Sequence, residues 1–337
     1  MATAKKGKAP VISDVAKMAG VSVSTVSRYL NGSPHLKPET ADRIARAIEL
    51  LEYRPSAVAR GLRKSAMKII AVFATNTTLL GSAVTIEGVE AAASERGYSV
   101  IISKLDPEAP GNIERAVSTV IDLNPAGIVV LKYDKAALDA LAQLPDNIPT
   151  VVIGGERDLQ RDQVLLCERE GGYAVTEYLL ALGHKTVHHV GVPVRSRETS
   201  RFDGWTQALW NAGAKVPEPL NSGWNAHEAI DLAQELVDQG ATAVFAGNDE
   251  IAMGVIAGLT KLGKAVPGDI SVAGFDNHPL GSIWNPGLTT YEQDFTGAGQ
   301  EAVNLLISRL ETKDEAPAPR LREVPGRLIV RESAQTI

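Results

Sequence analysis

Features of secreted and membrane-bound proteins are scarce in this sequence of 337 residues. It contains a single cysteine, Cys167, so it forms no internal disulfide, which fits a reducing compartment. The longest uninterrupted apolar run spans residues 69–74, far short of the roughly 18 residues that cross a membrane. The basic start, residues 1–10, is not followed by the apolar segment of a secretory signal. We therefore expect a cytoplasmic protein with no membrane partner.

Aromatic residues are also few, at 5%, but 44% hydrophobic and 22% charged residues are ordinary for a chain that buries a core. This composition excludes a disordered, collagen-like or disulfide-stapled protein. The length predicts two domains or slightly more.

Positive charge is concentrated at the beginning of the chain. Residues 1–64 hold twelve Lys and Arg against five Asp and Glu, a net charge of +7. The remaining 22 basic and 35 acidic residues give −13, so the whole chain carries −6. A basic head on an acidic body predicts that the head binds a polyanion and that the body avoids one.

The head has the pattern of a helix-turn-helix, the motif that places its second helix in the major groove of DNA. Residues 14–19 and 23–30 are predicted helices separated by Gly20, and Ser22 is placed to cap the second. The residues spaced to pack the pair together are Val15, Ala16, Ala19, Val21 and Val26. A third helix begins at Pro38, and its apolar stripe consists of Ala41, Ile44, Ala45, Ile48 and Leu51. The second helix presents Ser24, Thr25, Ser27 and Arg28, whose hydroxyls suit phosphate oxygens and whose guanidinium suits guanine.

From residue 68 onward, short apolar strands alternate with amphipathic helices. Strands are predicted at 69–73, 98–102, 127–131, 150–153, 186–190, 243–246 and 270–274. Helices are predicted at 86–96, 113–121, 173–182, 229–239 and 251–262. Glycines follow several helix ends, where a left-handed residue is favoured: Gly97, Gly183, Gly240 and Gly263. This pattern predicts an α/β body of parallel, doubly wound sheets, and its length favours two lobes with a cleft between them.

The ordered motifs resemble those of the LacI/GalR family of bacterial transcription regulators. They are Asp14-Val-Ala, Gly20-Val-Ser, Thr25-Val-Ser-Arg28, Tyr53-Arg-Pro55, Ala57-Val-Ala-Arg-Gly-Leu62, Ala181-Leu-Gly-His184, Arg201-Phe-Asp-Gly-Trp205, Gly247-Asn-Asp-Glu250, Ile270-Ser-Val-Ala-Gly-Phe-Asp276, Leu288-Thr-Thr290 and Gln293-Asp-Phe295. The resemblance implies a flexible basic tail (1–10), a helix-turn-helix head (11–55), a hinge helix and linker (56–66) and a body (67–337) similar to periplasmic binding proteins. Lobe 1 would take about 67–165 and 293–324, and lobe 2 about 166–292 and 325–337.

The same resemblance assigns DNA contacts. Val23, Ser24 and Arg28 would contact base edges. Phosphates or the register of the head would be held by Ser22, Thr25, Ser27, Asn31 and His35. In the hinge helix, Ala59 would contact DNA and Leu62 would enter the minor groove as an apolar wedge that bends the duplex. A homodimer would read a pseudo-palindromic operator.

In the body, the resemblance implies an effector site with no cofactor and no metal. Arg201, Asn248 and Asp276 match the polar ligand contacts of the family, and Trp224 and Phe295 match its apolar walls. Such groups suit a sugar, which offers vicinal hydroxyls and C–H surface. Three alternatives remain open: Trp224 as a core residue, Asp276 as a helix cap, and Arg201 as part of a surface ion pair.

Several positions depart from the family pattern. Val11 stands where a capping Thr is usual, with Ser13 able to compensate, and Lys37 replaces the cap before Pro38. Gly154 and Gly155 stand where sugar-binding members often carry an Asp. We interpret the two glycines as room for a larger, oligomeric saccharide.

Enzyme functions are disfavoured. The Gly-x4-Gly-Lys spacing at 258–264 lacks the following Ser or Thr and falls at the end of a helix rather than at its beginning. His184, His188 and His189 have no Cys or carboxylate at metal-ligand spacing, so we interpret them as structural.

The sequence therefore predicts a homodimeric, sequence-specific DNA-binding regulator that represses carbohydrate-utilisation genes and is released from its operator by a sugar effector. Two alternatives remain: a corepressor-dependent member of the same family with a non-sugar ligand, and a solute-binding receptor.

Overall fold

The computed structural model describes residues 10–30, 36–51, 53, 67–193, 200–312 and 318–337. The chain divides into two compact units, residues 1–67 and residues 68–337. The predicted hinge helix and nearly all of the predicted basic tail lie outside the described residues, as do four predicted DNA contacts: Asn31, His35, Ala59 and Leu62.

Three helices form the described part of the first unit: α1 (Ile12–Ala19), α2 (Val23–Leu30) and α3 (Pro38–Leu50). Helix α1 ends at Gly20, whose φ of 62° lies in the left-handed region that favours glycine. Arg43 of α3 donates from Nε to the carbonyl of Ala19 (3.0 Å) and from Nη2 to that of Gly20 (3.0 Å). These bonds satisfy carbonyls that the helix end would leave unpaired and fix the turn between α1 and α2.

A small apolar core holds the three helices together. Its buried residues are Val15, Ala16, Ala19, Val26, Ile44, Ala47 and Tyr53. The predicted packing residue Val21 is only partly buried, and Ala47 was not in the predicted stripe. At the start of α1 the backbone N–H of Val11 donates to Asp14 Oδ2 (2.9 Å), so Asp14 rather than Ser13 supplies the compensating contact. Lys37 provides no side-chain cap for α3, as its chemistry predicts.

The second unit alternates strands and helices along the chain. Its strands are β1 (Met67–Ala74), β2 (Ser99–Lys104), β3 (Pro125–Leu131), β4 (Thr150–Ile153), β5 (Asp162–Leu166), β6 (His188–Gly191), β7 (Leu220–Asn221), β8 (Ala243–Ala246), β9 (Ser271–Ala273), β10 (Thr290–Glu292), β11 (Leu321–Val324) and β12 (Arg327–Ile329). Its helices are α4 (Leu80–Glu95), α5 (Asn112–Asp122), α6 (Lys135–Leu141), α7 (Glu168–Ala181), α8 (Arg201–Asn211), α9 (Ala226–Asp231), α10 (Ala233–Asp238), α11 (Asp249–Lys261) and α12 (Phe295–Glu311), with a 3₁₀ turn at Pro279–Ser282.

Two main sheets organise this unit into two lobes. The lobe 1 sheet has the order β11-β5-β4-β3-β1-β2, and the lobe 2 sheet has the order β7-β6-β8-β9. The strand pairs β1–β2, β3–β4, β4–β5 and β5–β11 are parallel, as are all neighbours in lobe 2. A separate antiparallel pair joins β10 to β12.

Helices cover both faces of each main sheet, so the body is doubly wound as the sequence predicts. In lobe 1, α4 and α12 pack on one face, and α5 and α6 pack on the other. In lobe 2, α9, α10 and α11 cover one face, and α7 and α8 cover the other. Strands β3, β6 and β8 are buried along their whole length, and this burial explains the apolar sequences of β3 and β8.

A buried carboxylate joins three elements of lobe 1. Asp162, on β5, is 2% exposed and accepts from Arg309 of α12 (Nη2 to Oδ1, 2.5 Å) and from Arg320 just before β11 (Nη2 to Oδ2, 2.7 Å). Burial acts to raise the pKa of Asp162, but the bonds from Arg320 and Arg309 lower it below its usual range. The second segment of lobe 1, distant in sequence from the first, is therefore fixed to β5 by charge as well as by strand pairing.

The predicted elements agree with the structure best where the sequence pattern is strongest. Strands 150–153 and 243–246 are confirmed at their predicted bounds, and all four predicted helix-end glycines have a positive φ. The predicted helix 229–239 is wrong as a single helix, because the chain breaks at Leu232 into α9 and α10. Within the described residues, no helix is long and apolar enough to cross a membrane.

Candidate functional site

The exposed face of α2 is the first candidate surface. Ser22, Val23, Ser24 and Arg28 are exposed, and Val23 presents 45% of its surface although it is apolar. Thr25 and Ser27 are partly buried, while Val26 points into the core. The predicted recognition residues that the structure describes therefore lie on α2 or at its start, and four of them face solvent: Ser22, Val23, Ser24 and Arg28.

A cluster of hydroxyls begins this helix. Ser22 Oγ lies 2.8 Å from Ser24 Oγ and 2.8 Å from Thr25 Oγ1, and it accepts from the backbone N–H of Thr25 (3.2 Å). Ser22 thus caps α2, as its position predicts. Hydroxyl donors beside a helix N-terminus are groups that bind phosphate oxygens.

The second candidate site is a cavity of about 930 Å³ in the body, lined by residues of both lobes. Its walls are built where strands end: Thr75 follows β1, Lys132 and Tyr133 follow β3, and Gly154 and Gly155 follow β4. Loops at the carboxyl ends of parallel strands are where α/β folds bind ligands. The cavity brings together all five predicted effector residues: Arg201, Trp224, Asn248, Asp276 and Phe295.

Arg201 is the central cation of the cavity and is 5% exposed. Its Nη2 donates to Glu168 Oε1 (2.9 Å), its Nη1 donates to the carbonyl of Gly247, and Nη1 lies 3.5 Å from Asp276 Oδ1. The guanidinium also lies 4.2 Å from the ring centroid of Phe275. Burial acts to lower the pKa of Arg201, but Glu168 and Asp276 raise it above its ordinary value. Arg201 is buried, so the alternative that it forms a surface ion pair is wrong.

Asp276 lies in a strained loop beside Arg201. Its φ of 92° is rare for a residue other than glycine, and the neighbouring Asn277 also has a positive φ, of 52°. Asp276 Oδ1 accepts from Gln293 Nε2 (2.8 Å). Burial raises the pKa of the Asp276 carboxyl, while Arg201 acts in the opposite direction. The side chain bonds Gln293 and Arg201 and does not cap the following 3₁₀ turn, whose cap is His278.

Asn248 and Asp249 hold the neighbouring wall in place. Asn248 Oδ1 accepts from the N–H of Ile251 (2.8 Å) and thereby caps α11. The adjacent Asp249 is 1% exposed and accepts from the N–H of His278 (2.6 Å) and from Thr290 Oγ1 (2.6 Å). Asp249 therefore ties α11 to the loop that carries Asp276 and to β10. Burial raises the pKa of Asp249 to about 7.

Trp224 and Phe295 are the apolar walls. Trp224 is 41% exposed, so the alternative that it is a core residue is wrong, whereas Phe295 is 6% exposed and begins α12. An open aromatic face and a fixed one together cover apolar surface of a ligand.

The two glycines after β4 do not enlarge the cavity in the way that we predicted. Both have positive φ, 78° at Gly154 and 70° at Gly155. A Cβ at Gly154 would lie 2.3 Å from the ring of Tyr133, and one at Gly155 would lie 2.6 Å from Lys132. The space beside the glycines is thus filled by Tyr133 and Lys132. Backbone conformation and close packing explain the glycine pair.

Sequence reasoning missed several polar groups that line the cavity. Gln293 Oε1, Tyr133 Oη, Thr75 Oγ1 and Arg201 Nε are buried without a hydrogen-bond partner among the described residues. Thr75 and Tyr133 each follow a predicted strand, a position that marks ligand-binding residues in this type of sheet. Gln293 lies in a family-like motif and had no predicted role.

The three histidines His184, His188 and His189 differ in their hydrogen-bond partners. Both ring nitrogens of His184 have partners, Thr242 Oγ1 at 3.0 Å and Ser271 Oγ at 3.1 Å. His189 donates from Nδ1 to the carbonyl of Phe245 (2.8 Å), and burial lowers its pKa to about 4. Among the residues that the structure describes, His188 Nδ1 and His189 Nε2 have no partner, so His184 is the one of these three that is fully satisfied. The described residues contain no group of three or more His, Cys, Asp or Glu that could hold a metal.

The Gly-x4-Gly-Lys segment ends a helix, as predicted. Helix α11 finishes at Lys261, and Gly263 follows with a φ of 72°. The segment therefore presents helix carbonyls rather than amides, which is unsuited to phosphate.

Comparisons with known proteins match both the head and the body. The profile of bacterial regulatory proteins of the lacI family matches residues 11–56, and the profile of a periplasmic binding protein-like domain matches residues 176–334. The transcriptional repressor PurR of Pasteurella multocida is 33% identical over 336 residues, which are 96% of this chain and 98% of that protein. PurR of Haemophilus influenzae is 32% identical over 97% of this chain and 99% of its own length.

Solved structures show the same architecture. A lac repressor dimer bound to operator and the anti-inducer ONPF is 25% identical, with a TM-score of 0.86 over 97% of this chain and 100% of that one. The transcriptional regulator CelR in complex with cellobiose is also 25% identical, with a TM-score of 0.69 over 96% of this chain and 99% of that one.

The chain therefore belongs to the lacI family of bacterial regulatory proteins. It is a DNA-binding transcriptional regulator with a helix-turn-helix head and a body similar to periplasmic binding proteins. Both curated relatives are named as transcriptional repressors rather than as enzymes.

Proposed function

We propose that this protein is a cytoplasmic, homodimeric repressor of carbohydrate-utilisation genes whose operator binding is controlled by a sugar in the body cavity. The observation that carries the proposal is the wall of the cavity, where buried Arg201 and Gln293 and partly buried Asp276 stand with aromatic Trp224 and Phe295. Bidentate polar groups beside aromatic faces are suited to a ligand with several hydroxyls on an apolar ring.

DNA recognition is assigned to the exposed face of α2. Arg28 is the one long cationic side chain on this helix, and the Ser22 hydroxyl cluster lies at its start. We assign base contacts to Val23, Ser24 and Arg28 and phosphate contacts to Ser22, Thr25 and Ser27. Asn31, His35, Ala59 and Leu62 remain proposed contacts on the basis of family resemblance.

Control by a sugar is supported by the shape and contents of the cavity. Its volume of about 930 Å³ is within the usual range for small-molecule sites. Solved regulators that are 25% identical to this chain are described with cellobiose and with ONPG in a repressed state. We propose that the effector contacts Arg201, Asn248, Asp276, Trp224 and Phe295.

A homodimer is supported by an exposed apolar cluster on lobe 2. Leu280 is 47%, Ile283 is 77% and Trp284 is 36% exposed, all within one short segment. Exposed apolar residues grouped in this way mark interaction surfaces. The lac repressor relative that binds operator is described as a dimer.

Effector and operator binding are thermodynamically linked. If the sugar lowers the affinity for DNA by a given factor, DNA lowers the affinity for the sugar by the same factor. We propose release rather than corepression, and the sign of the linkage distinguishes the two.

The proposal is tested first on DNA. Operators are selected from random duplexes with the purified full chain, and affinity is measured by mobility shift at several salt concentrations. We expect a palindromic consensus and a steep fall of affinity with salt, because Lys and Arg displace counterions from phosphates. A protein with no preference for any selected duplex over random DNA contradicts the proposal and favours the solute-binding receptor.

The effector is then sought by thermal shift and calorimetry with monosaccharides, disaccharides, amino acids and purine bases. A ligand that binds the body stabilises it as its concentration exceeds Kd. We expect a saccharide to bind and to weaken operator binding. A non-sugar ligand that tightens operator binding supports the corepressor alternative instead.

A further inference from the structure

The charge of the cavity restricts what can bind there. Among the lining residues that the structure describes, eight are acidic and four are basic. An excess of acidic groups repels anions, but acidic side chains on an acidic body are not by themselves a binding site. Whether the cavity can bind an anion depends on whether its basic residues are already paired with carboxylates.

The charge of Arg201 is already neutralised within the protein. Glu168 binds its Nη2 at 2.9 Å, Asp276 lies 3.5 Å from its Nη1, and the carbonyl of Gly247 accepts from the same nitrogen. Two carboxylates therefore face one guanidinium. An anionic ligand would have to displace one of them or add a third negative charge beside it.

The other basic residues are also occupied or lie at the surface. Lys132 donates to the carbonyl of Glu156 and lies 3.9 Å from Asp158 Oδ2, and its side chain is 7% exposed. Arg169 forms an ion pair with Asp203 at 2.6 Å. Arg157 is exposed to solvent. Among the described residues that line the cavity, every buried cation is therefore already paired with a carboxylate. An anionic ligand finds no buried cation with a free charge there.

The unpartnered polar atoms point to a ligand that both donates and accepts hydrogen bonds, because Arg201 Nε is a buried donor without a partner among the described residues. Gln293 is 6% exposed, and its Oε1 is a buried acceptor without a partner. An amide oxygen can be satisfied only by a donor, which a phosphate dianion or a carboxylate lacks. The hydroxyls of Thr75 and Tyr133, also buried without partners, can donate or accept. Ligand hydroxyls satisfy this set because they donate and accept, whereas a phosphate dianion or a carboxylate group cannot satisfy Gln293 Oε1.

From this charge balance, we infer that the effector of the proposed site carries no negative charge. The cavity takes an uncharged or aminated polyol and rejects phosphorylated and carboxylated ones. This inference rests on the proposed effector site, and it narrows the ligand class from sugars in general to neutral and amino sugars.

Matched ligands test the inference directly. Calorimetry with the full chain compares glucose, glucosamine, glucuronate and glucose-6-phosphate, and the corresponding derivatives of any better-binding saccharide. We expect the amino sugar to bind at least as tightly as the neutral one. We expect the phosphorylated and carboxylated members to bind at least about 100-fold more weakly, because like charges are brought together. An anionic member that binds as tightly as its neutral counterpart overturns the inference.

A second experiment needs no identified effector, because inorganic phosphate is the probe. All four tryptophans (Trp205, Trp210, Trp224 and Trp284) belong to the body, so their fluorescence does not report phosphate held by the basic head. At constant ionic strength, we expect no phosphate response from the wild type. Glu168→Gln removes one partner of Arg201 and is expected to bind phosphate at least about tenfold more tightly than the wild type.

The control is Glu170→Gln, which removes the same charge from the same helix at an exposed lining position with no bond to Arg201. Asp276→Asn, which removes the other carboxylate, is expected to behave like Glu168→Gln. A phosphate response of the wild type, or equal responses of Glu168→Gln and Glu170→Gln, overturns the inference. If the wild type shows no fluorescence response to phosphate and Glu168→Gln does, the inference is supported even when no saccharide binds. The absence of saccharide binding counts only against the proposed control by a sugar.

Discussion

The head and the cavity display their functional side chains in opposite ways. On α2, Ser22, Val23, Ser24 and Arg28 are exposed, and the hydroxyls bond mainly to one another within a few residues of chain. In the cavity, Arg201 is buried, Asp276 is partly buried, and both interact with partners far away in sequence. The head depends on a partner for its polar contacts, whereas the cavity has made most of its contacts before a ligand arrives. Removing a side chain should therefore impair binding in the head and stability in the body.

The largest effect is expected from Asp162→Ala, which leaves Arg309 and Arg320 without their buried carboxylate. Breaking a buried ion pair costs roughly 3–5 kcal/mol, and urea unfolding of the body should show a loss of this size. The control is Asp139→Ala, whose partner Lys135 is 72% exposed and whose loss should cost less than about 1 kcal/mol. Equal losses from the two variants would remove the distinction between buried and exposed pairs.

The next effect concerns pH. Because the pKa of Asp249 is raised to about 7 in the folded state, the native protein binds this proton more tightly than the unfolded chain does. The stability that the proton provides is present below the unfolded pKa of about 4 and is lost as pH rises through 7. Between pH 4 and 7, the unfolding free energy of the wild type should fall relative to that of Asp249→Asn by a few kcal/mol. Parallel pH profiles would show that Asp249 does not titrate in this range.

A third prediction tests the head. Arg28→Ala should lower operator affinity by about 10- to 100-fold, the usual value for one bidentate contact to a base. The thermal stability of the head should remain unchanged, since Arg28 is exposed. Arg46→Ala removes the same charge from an exposed position on α3 and should weaken binding less, without relaxing sequence preference. If Arg28→Ala and Arg46→Ala lower the affinity equally and for all DNA sequences, Arg28 contributes only general electrostatic attraction to DNA.

The smallest effect is expected from Ser22→Ala. Loss of this cap should destabilise the head by about 1 kcal/mol, because the N–H of Thr25 loses its side-chain acceptor. Ser24→Ala is the matched control. Ser24 is exposed, and among the described residues its side chain forms one hydrogen bond, between its hydroxyl and that of Ser22. The thermal unfolding transition of the head measures the loss of stability in both variants. A greater loss in Ser24→Ala than in Ser22→Ala would contradict the assignment of Ser22 as the cap.

The same contrast explains what the sequence could predict. The head functions through residues that are close together in the chain, so Gly20, Ser22 and the apolar spacing were sufficient to place α1 and α2. In the body, long apolar runs such as β3 and β8 were also clear. The sequence did not predict strands β5, β7, β10, β11 and β12. Of these, β7, β10 and β12 have only two or three residues each and are defined by their neighbours.

The candidate site was predictable in its members but not in their roles. The resemblance gathered Arg201, Asn248 and Asp276, and all three line the cavity. It did not indicate that Asn248 caps α11 or that Asp249 anchors the loop, since those bonds depend on three-dimensional contacts. The glycine pair at 154 and 155 was misinterpreted because Tyr133, which fills the space beside it, lies more than twenty residues earlier.

Lobe 1 is built from two chain segments that are separated in sequence by most of lobe 2, and this affects how the protein folds during synthesis on the ribosome. Its sheet starts at β1 but receives α12 and β11 only after residues 166–292 of lobe 2 have been translated. The gap between β5 and β11 is roughly 150 residues, or about 8 to 30 s of translation at bacterial and eukaryotic rates. During that time, the apolar face that α12 will cover has no permanent partner. Lobe 1 is thus the part of the nascent chain that most needs a chaperone, and slow codons between residues 166 and 295 should increase aggregation.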